Sequence, residues 1–205
     1  MTRTARFAAL AIAFVALVTL IVHVRLGLAA RPDWPLWREL WRTGRFFTVL
    51  TVALVAVHFL WVGLSGRASA ALAGGVTLWI GIVGAVYHAL LWRPLEGLRL
   101  YVDHSMHSLL PVLVAAWWLA CAPKGALRPA HAAWWLGWPG LYVAYVLARG
   151  MTDGRYPYFF VDPGRIGWLM VGVWVLALGA VFWLGGVGLV RLGRWLSRSR
   201  DPVIG

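Results

Sequence analysis

Long apolar stretches, separated by short polar segments, run along almost the whole chain. Six of them approach the roughly 20 residues that a helix needs to cross a bilayer. They lie at 7–28, 46–64, 69–92, 105–122, 134–148 and 167–190. The fourth and fifth are the shortest, and each contains a proline, Pro111 and Pro139, which can kink or end a helix. The pattern predicts an all-α, polytopic membrane bundle with six transmembrane helices.

The segments between these stretches are short. Spans of about 20 residues use most of the chain, and the longest connection, at 149–166, is too short for a separate core. We therefore predict a single integral membrane domain over residues 1–205, with a short basic tail from about residue 191. Any chemistry must then lie within the bundle or at its rim. This location favours a lipid or another amphiphile as the substrate.

Composition supports the membrane class and argues against nucleic acid as a partner. Hydrophobic residues make up 61% of the chain and charged residues only 13%, and the mean hydropathy is +0.76. The formal net charge is +12, but the basic residues are spread over the ends of the spans and do not form one basic face. The single cysteine, Cys121, excludes an intrachain disulfide and a cysteine-based metal cage.

Basic residues at the two ends of the chain indicate an orientation. Arginines precede the first span and follow the last: Arg3, Arg6, Arg191, Arg194, Arg198 and Arg200. Cytoplasmic segments are enriched in Arg and Lys, so we predict that both termini are cytoplasmic. Few lysines beside abundant Arg, Ala, Gly and Trp are typical of a GC-rich bacterial genome. The predicted location is therefore a bacterial inner membrane.

Polar residues are concentrated at one predicted depth. Thr48 and Thr51 open the second span, and Asp103, His104 and His107 stand where the fourth begins. If successive spans alternate in direction, both clusters lie toward the outer leaflet. The third and fifth spans and the connection after the fifth bring further polar residues to the same face: Tyr87, His88, Arg149 and Tyr158. Ionisable groups at such depth are costly and tend to serve function, so this layer is the predicted site.

Each of these residues also has a purely structural explanation. Thr48 could cap the second helix or bond to a carbonyl of its own helix. His107 could be a histidine satisfied within the bundle, and Asp103 could be only a helix N-cap. Arg149 could extend to lipid headgroups, and His58, deeper in the second span, could simply pack. The residues alone indicate a site region but no reaction.

Four motifs, in this order along the chain, resemble one known family. They are R-F-F-T-x-x-T at 45–51, G-x-V-Y-H-x-L-L at 84–91, D-H-x-M-H-x-x-x-P at 103–111 and R-G-x-x-x-G-x-Y-P-Y-x-F-x-D at 149–162. Together they are similar to the androgen-induced-gene family, which includes the androgen-dependent regulator of tissue factor pathway inhibitor and bacterial six-span relatives. The resemblance implies a threonine hydrolase that cleaves fatty acid esters of hydroxy fatty acids within the membrane. The essential threonine and histidine of that family match Thr48 and His107.

The resemblance and the chemistry of the side chains predict covalent acyl transfer to Thr48, with His107 as the base that takes its proton. Asp103 lies four residues before His107 on the same helix face, so it is expected to orient the imidazole. Arg149 is expected to bind a substrate carboxylate, and Tyr158 to donate to the oxyanion. The other predicted substrate-binding residues are Tyr87, His88 and His104. The reaction requires no cofactor and no metal.

Two other classes of function remain open. Histidines and Asp103 could ligate zinc or another divalent ion, which would activate water directly. The residues of that alternative are His88, Asp103, His104 and His107. His58 and a histidine of another span could instead be axial ligands of haem. The chain could also be a non-enzymatic membrane scaffold, in which case Thr48 and His107 would be dispensable for its function.

Overall fold

The computed structural model describes residues 1–198, and helices are the only regular elements in that part of the chain. They are α1 (Arg3–Ala29), α2 (Leu36–Thr43), α3 (Phe47–Ser65), α4 (Ala70–Val86), α5 (Gly97–His104), α6 (Leu110–Cys121), α7 (Ala130–Trp134), α8 (Gly137–Asp153) and α9 (Pro163–Arg198). A π-helical turn, Tyr87–Leu91, continues α4, and a second, Ser105–Leu109, joins α5 to α6. A short 3₁₀ turn, Phe159–Val161, precedes α9. The predicted all-α class is confirmed.

Within residues 1–198, five helices are long and apolar enough to cross a membrane, judged by length and composition; the last of them is kinked at Gly167, whose φ of 77° is not helical. They are Arg3–Ala29, Phe47–Ser65, Ala70–Leu91, Gly97–Cys121 and Pro163–Arg198. The predicted span at 134–148 is not among them, because α7 ends at Trp134 and α8 begins only at Gly137. The 17 residues of α8 extend over about 26 Å, slightly less than the ~30 Å hydrocarbon core of a bilayer. The prediction of six spans is therefore met only in part.

The predicted start of the fourth span is too late. Its helix begins at Gly97, not at residue 105, and reaches Cys121 without interruption. Arg99, Asp103 and His104 lower the hydropathy of the first turns, so the pattern alone assigned them to a connection. Their backbone is nevertheless helical, and Asp103 therefore lies inside a helix and is not an N-cap.

Contacts divide the chain into two compact units, Met1–Pro123 and Lys124–Gly205. The first unit contains α1–α6, and the second contains α7–α9. This division does not decide whether residues 1–205 form one domain, which stays a prediction. The basic tail expected from about residue 191 is helical as far as Arg198, and Arg200 lies outside the described residues.

In the second unit, small and aromatic residues pack the short elements on α9. Gly186 of α9 lies close to Ala132 of α7, where an added Cβ would come within 3.2 Å of the Ala132 backbone. The rings of Phe159 and Phe160 contact the ring of Trp174, with centroid distances of 5.6 and 5.8 Å. The 3₁₀ turn is therefore fixed to α9 by one edge-on and one tilted aromatic contact.

In the first unit, α1 packs along α3 and α6. The buried face of α1 consists mainly of small residues: Ala5, Ala9, Ala13 and Ala16. Opposite this helix, Gly63 of α3 lies so close to the side chain of Leu10 that a Cβ would meet it. Small residues on both surfaces allow helices to approach closely in an apolar environment. This packing brings the start of α3 and the segment from α5 to α6 against α1.

Three hydrogen bonds from side chains to backbone hold the three helices together. Arg6 donates from Nε to the carbonyl of Gly63 at 3.0 Å and from Nη2 to that of Leu64 at 2.8 Å. These bonds satisfy carbonyls in the last turn of α3 that have no partner within the helix. Trp117 of α6 donates from Nε1 to the carbonyl of Ala5 at 2.9 Å. Together the bonds fix the ends of α1, α3 and α6 relative to one another.

A buried carboxylate holds α2 against the end of α1. Glu39 has no exposed surface, and Arg42 donates to its two carboxylate oxygens from Nε at 2.9 Å and from Nη2 at 2.5 Å. Nη1 of Arg31 lies 3.9 Å from the same group. Gly27 of α1 leaves room for the carboxylate, because any Cβ at this position would overlap it. A carboxylate this deeply buried requires such paired cations.

Candidate active site

Thr48 and His107 meet within the first unit. Oγ1 of Thr48 lies 3.3 Å from Nε2 of His107. Thr48 is in the first turn of α3 and is 9% exposed. His107 is in the π turn Ser105–Leu109, and its side chain is 12% exposed. The two residues that sequence analysis placed at one depth are therefore in contact, largely shielded from the surroundings.

The hydroxyl of Thr48 bonds differently from those of other buried threonines. Three of these donate to the carbonyl four residues earlier in their own helices: Thr19, Thr43 and Thr77. Thr48 instead has His107 as its hydrogen-bond partner. It does not cap α3 either, because the N-cap is Phe46 and has no side-chain bond. Thr48 therefore neither caps its helix nor bonds to a carbonyl of that helix, the two structural roles considered for it.

The other ring nitrogen of His107 is held by Asp103. Nδ1 lies 2.9 Å from the backbone carbonyl oxygen of Asp103 and 3.3 Å from its carboxylate Oδ1. A carbonyl oxygen can only accept, so Nδ1 carries the hydrogen in the neutral ring. Nε2 is then the unprotonated nitrogen and faces the hydroxyl of Thr48. This tautomer is the one that a general base needs.

Tyr87 is a direct neighbour of His107. Its ring stacks on the imidazole with a centroid distance of 3.8 Å and an angle of 12° between the planes. Its hydroxyl interacts with the Asp103 carboxylate. Tyr87 is 5% exposed. A substrate-binding role was predicted for Tyr87; the contacts observed in the structure are with the imidazole and with the carboxylate that holds it.

Close packing of α4 against the π turn fixes the backbone at His107. A Cβ added at Gly84 would lie 2.8 Å from the carbonyl oxygen of His107 and 3.2 Å from Cγ of Pro111. Only a residue without a side chain fits there undisturbed. Both π turns of the first unit meet in this region, since one carries Tyr87 and the other His107. Single π turns within α-helices occur frequently at functional sites.

The other two predicted histidines lie outside this contact. His88 is exposed, and its Nε2 is 3.0 Å from the hydroxyl of Ser108. His104 is also exposed. Within the part of the chain that the structure describes, no group of three or more His, Cys, Asp or Glu side chains could hold a metal ion. The structure therefore does not gather His88, His104 and His107 into one ligand set.

The two remaining predicted residues belong to the second unit. Arg149, in α8, is 6% exposed; its Nη1 donates to the hydroxyl of Tyr145 at 2.6 Å, and its Nε lies 3.9 Å from Asp153. Tyr158 stacks on Phe160, with ring centroids 5.0 Å apart. The carboxylate-binding role of Arg149 and the oxyanion role of Tyr158 stay predictions.

The first helix, α1, also contributes to the site, which the sequence pattern did not predict. The hydroxyls of Thr19 and Ser105 are 2.7 Å apart, which joins α1 to the turn that carries His107. His23 lies one helical turn further along α1, and its Nε2 is buried with no hydrogen-bond partner among residues 1–198. The spacing of Thr19, His23 and Gly27 at every fourth position was a signal that they share a helix face.

Comparison with protein-family models, curated protein sequences and solved structures found no match. The chemistry of the site is therefore argued from its geometry. A hydroxyl lies beside the acceptor nitrogen of an imidazole, and a carbonyl and a carboxylate hold the opposite nitrogen. That is the arrangement of a nucleophile with its general base and orienting group.

Proposed function

We propose that this chain is a lipid ester hydrolase of the membrane, a member of the family that it resembles, and that it cleaves fatty acid esters of hydroxy fatty acids. The observation that carries the proposal is the 3.3 Å contact between the Thr48 hydroxyl and Nε2 of His107. A threonine hydroxyl is a poor nucleophile until an adjacent base removes its proton. The long apolar helices around the pair favour an amphiphilic substrate over a soluble metabolite.

In the first half of the reaction, Oγ1 of Thr48 attacks the carbonyl carbon of the ester while Nε2 of His107 takes the hydroxyl proton. The Asp103 carboxylate stabilises the imidazolium that forms. The tetrahedral intermediate then collapses, and the bond between the carbonyl carbon and the alcohol oxygen breaks. His107 returns the proton to that oxygen, so the hydroxy fatty acid leaves and the acyl group remains on Thr48.

In the second half, water takes the place of the alcohol. Nε2 of His107 removes a proton from the water as its oxygen attacks the acyl carbonyl carbon. Collapse of this second intermediate breaks the bond to Oγ1, and His107 returns the proton to Thr48. The free fatty acid is released, and the enzyme is back in its starting state. Each proton that His107 takes is returned within the same half-reaction.

We extend the proposal to the membrane arrangement. α8, though short, completes a sixth crossing. Both termini are cytoplasmic, in a bacterial inner membrane. Thr48 and His107 lie toward the outer leaflet. Basic residues at the two ends of the chain support this orientation. The proposal that Thr48 and His107 lie at the same face of the membrane does not require α8 to cross it, because both residues belong to the first four long helices.

The proposal is tested with an active-site-directed fluorophosphonate on the purified protein. We expect one covalent label, on Oγ1 of Thr48, because the reagent modifies hydroxyls that a neighbouring base activates. Thr48→Ala should remove the label, and His107→Gln should slow labelling strongly. Mass spectrometry of the labelled peptide locates the adduct. Labelling at another residue, a Soret band or a stoichiometric metal ion in the purified protein would contradict the mechanism.

A second prediction concerns the glycine behind His107. Gly84→Ala is expected to lower ester hydrolysis by roughly 10- to 100-fold, because displacement of a reacting group by a fraction of an ångström to an ångström costs that much. The new Cβ would press on the His107 carbonyl, only 2.8 Å away. Turnover of the palmitate ester of hydroxystearic acid, with the ester at mid-chain, measures the effect.

The matched control is Gly81→Ala, one helical turn earlier in α4. A Cβ at Gly81 meets nothing within 4 Å, so this variant should keep wild-type turnover. Thermal unfolding in detergent is measured for both proteins. If Gly84→Ala and Gly81→Ala had equal turnover, the packing at Gly84 would not be positioning His107.

A further inference from the structure

One face of α1 connects the active site with the buried Glu39–Arg42 pair. Thr19 contacts Ser105, in the same turn as His107, and Gly27 lies against the Glu39 carboxylate. His23 is four residues from each of them, so it lies between the two contacts on the same face of α1. A helix rises about 6 Å over four residues and about 12 Å over eight. Along α1, His23 is therefore about 6 Å from the level of Thr19 and about 6 Å from the level of Gly27.

His23 is polar, shielded and without a partner at Nε2 within residues 1–198. Its imidazole interacts electrostatically with His107 and Asp103 on one side and with Glu39 and Arg42 on the other. A buried nitrogen that makes no hydrogen bond is costly, because it has lost its bond to water without a replacement. A protein can recover that cost when a bound ligand supplies the missing partner.

Arg42, which interacts electrostatically with His23, is held in place by Glu39. Its Nε and Nη2 bind the two carboxylate oxygens of Glu39, and Nη1 takes no part in that pair. The Arg42 side chain is 30% exposed, whereas the Glu39 side chain is fully buried. The guanidinium thus has a fixed orientation and an accessible edge. Such a preorganised fork suits a carboxylate ligand.

Positive charge is in excess around this face. Arg31 and Arg42 lie beside Glu39, and Arg93 interacts with Asp103. Three cations therefore accompany two carboxylates. One bound monoanion would balance the charge, while a doubly charged phosphate would be repelled by Glu39 and Asp103.

We propose that His23 and Arg42 bind the free carboxylate of the substrate while its ester carbonyl lies at Thr48. Nε2 of His23 and Nη1 of Arg42 donate to the two carboxylate oxygens. The inference rests on the proposed function and specifies its substrate: an ester whose alcohol part is itself an acid. It assigns to the first unit the role that sequence analysis expected of Arg149.

The position of this site also sets a requirement on the substrate. The carboxylate and the reacting carbonyl are separated by a distance of the order of the ~6–12 Å between the levels of Thr19, His23 and Gly27 along α1. A chain of several methylenes must span it. Esters branched near the middle of a long hydroxy acid meet this requirement, whereas esters of short hydroxy acids such as lactate do not.

The test compares two substrates in detergent micelles: the palmitate ester of hydroxystearic acid and the methyl ester of that compound, which lacks the charge. Wild type is expected to have at least a roughly tenfold higher kcat/KM for the acid, as charge-assisted hydrogen bonds would give. His23→Leu should reduce this ratio to near one, mainly through KM. His23→Gln, which keeps a donor, should retain much of the preference.

Two further variants separate the possible carboxylate sites. Arg38, also in α2, contacts the ring of Trp34, with 4.4 Å between its guanidinium carbon and the ring centroid, so Arg38→Gln should retain the wild-type ratio. Arg149→Gln should retain it as well. If Arg149→Gln abolished the preference and His23→Leu did not, the inference would be wrong while the hydrolase proposal stood.

A binding measurement keeps the inference separate from catalysis. Oleate binding is measured by calorimetry for the His107→Ala protein, with and without His23→Leu, in dodecyl maltoside. We expect His23→Leu to weaken oleate binding roughly tenfold, and methyl oleate and phosphatidylglycerol to compete poorly. If His23→Leu left oleate binding unchanged, or if phosphatidylglycerol competed as well as oleate, the proposed carboxylate site would be wrong. A wild-type protein that binds oleate in this way but hydrolyses no ester would refute only the proposed function.

Discussion

Thr48→Ala is expected to lower ester hydrolysis by about 10³-fold or more, because removal of the nucleophile of a covalent mechanism costs at least that much. Thr48→Ser should keep a measurable part of the activity, since it retains the hydroxyl beside Nε2 of His107. Turnover of the palmitate ester of hydroxystearic acid by purified protein measures both variants. Accumulation of the acyl-enzyme can be followed by intact-protein mass.

Thr77→Ala is the matched control for this experiment. Thr77 is 8% exposed, close to the 9% of Thr48, and lies in another long apolar helix. Its hydroxyl donates to the carbonyl of Ala73 at 2.7 Å. Turnover should therefore be unaffected by its loss. Equal activity of Thr48→Ala and Thr77→Ala would exclude Thr48 as the nucleophile and favour the scaffold or metal hypotheses.

Asp103→Asn is expected to lower turnover by only roughly 10- to 100-fold, the effect of losing one charge-assisted hydrogen bond. In a Ser-His-Asp triad the same change costs ~10⁴-fold, because the wrong tautomer of histidine forms. Here the backbone carbonyl of Asp103, 2.9 Å from Nδ1 of His107, fixes the tautomer whatever the side chain is. In the proposed mechanism the carboxylate also stabilises the imidazolium; in the structure it contacts Tyr87.

Steady-state kinetics of Asp103→Asn and Asp103→Ala check this division of roles. Both variants should lose kcat more than they change KM, since the carboxylate acts on the imidazolium in the transition state. A loss near 10⁴-fold in Asp103→Asn would mean that the side chain, and not the carbonyl, controls the tautomer. Wild-type kcat would mean that the carboxylate has no electrostatic role.

The proximity of Thr48 and His107 could be anticipated because it follows from topology. Apolar stretches of membrane length alternate in direction, so a polar residue at the start of the second and one near the start of the fourth share a face. The spans at 46–64 and 69–92 lie within one residue of the observed helices Phe47–Ser65 and Ala70–Leu91. The ends of these two helices could thus be read from hydropathy to within one residue, whereas the start of the fourth span could not.

Rotation around the helix axis could not be read in the same way. Hydropathy carries little information on azimuth when a helix is apolar on every side, as α3 and α4 are. The π turns also change the direction in which Tyr87 and His107 point from the helix axis, compared with an α-helix. Nothing in the sequence of either turn predicts a π-helical conformation. Stacking of Tyr87 on His107 therefore became visible only in the structure.

The interruption at 134–148 shows another limit of the pattern. The hydropathy of this stretch indicates a span, but the chain turns at Trp135 and Leu136 before α8 begins. Gly137 and Pro139 sit at the start of α8, where proline is tolerated because the first amide groups have no helical partner. Local backbone rules divide a segment that hydrophobicity alone treats as continuous.

The π turn at Ser105–Leu109 has an evolutionary consequence. A π turn accommodates about one residue more than the α-helix that would replace it, so deletion of a single residue there would convert it to an α-turn. The helix on either side would keep its orientation, but the residues inside the turn, His107 among them, would shift around the helix axis. The helix would still be long enough for the bilayer, yet the imidazole would turn away from α3. A one-residue gap at this point in a relative's sequence would therefore mark a lineage that has kept the helix but lost the contact between the threonine and the histidine.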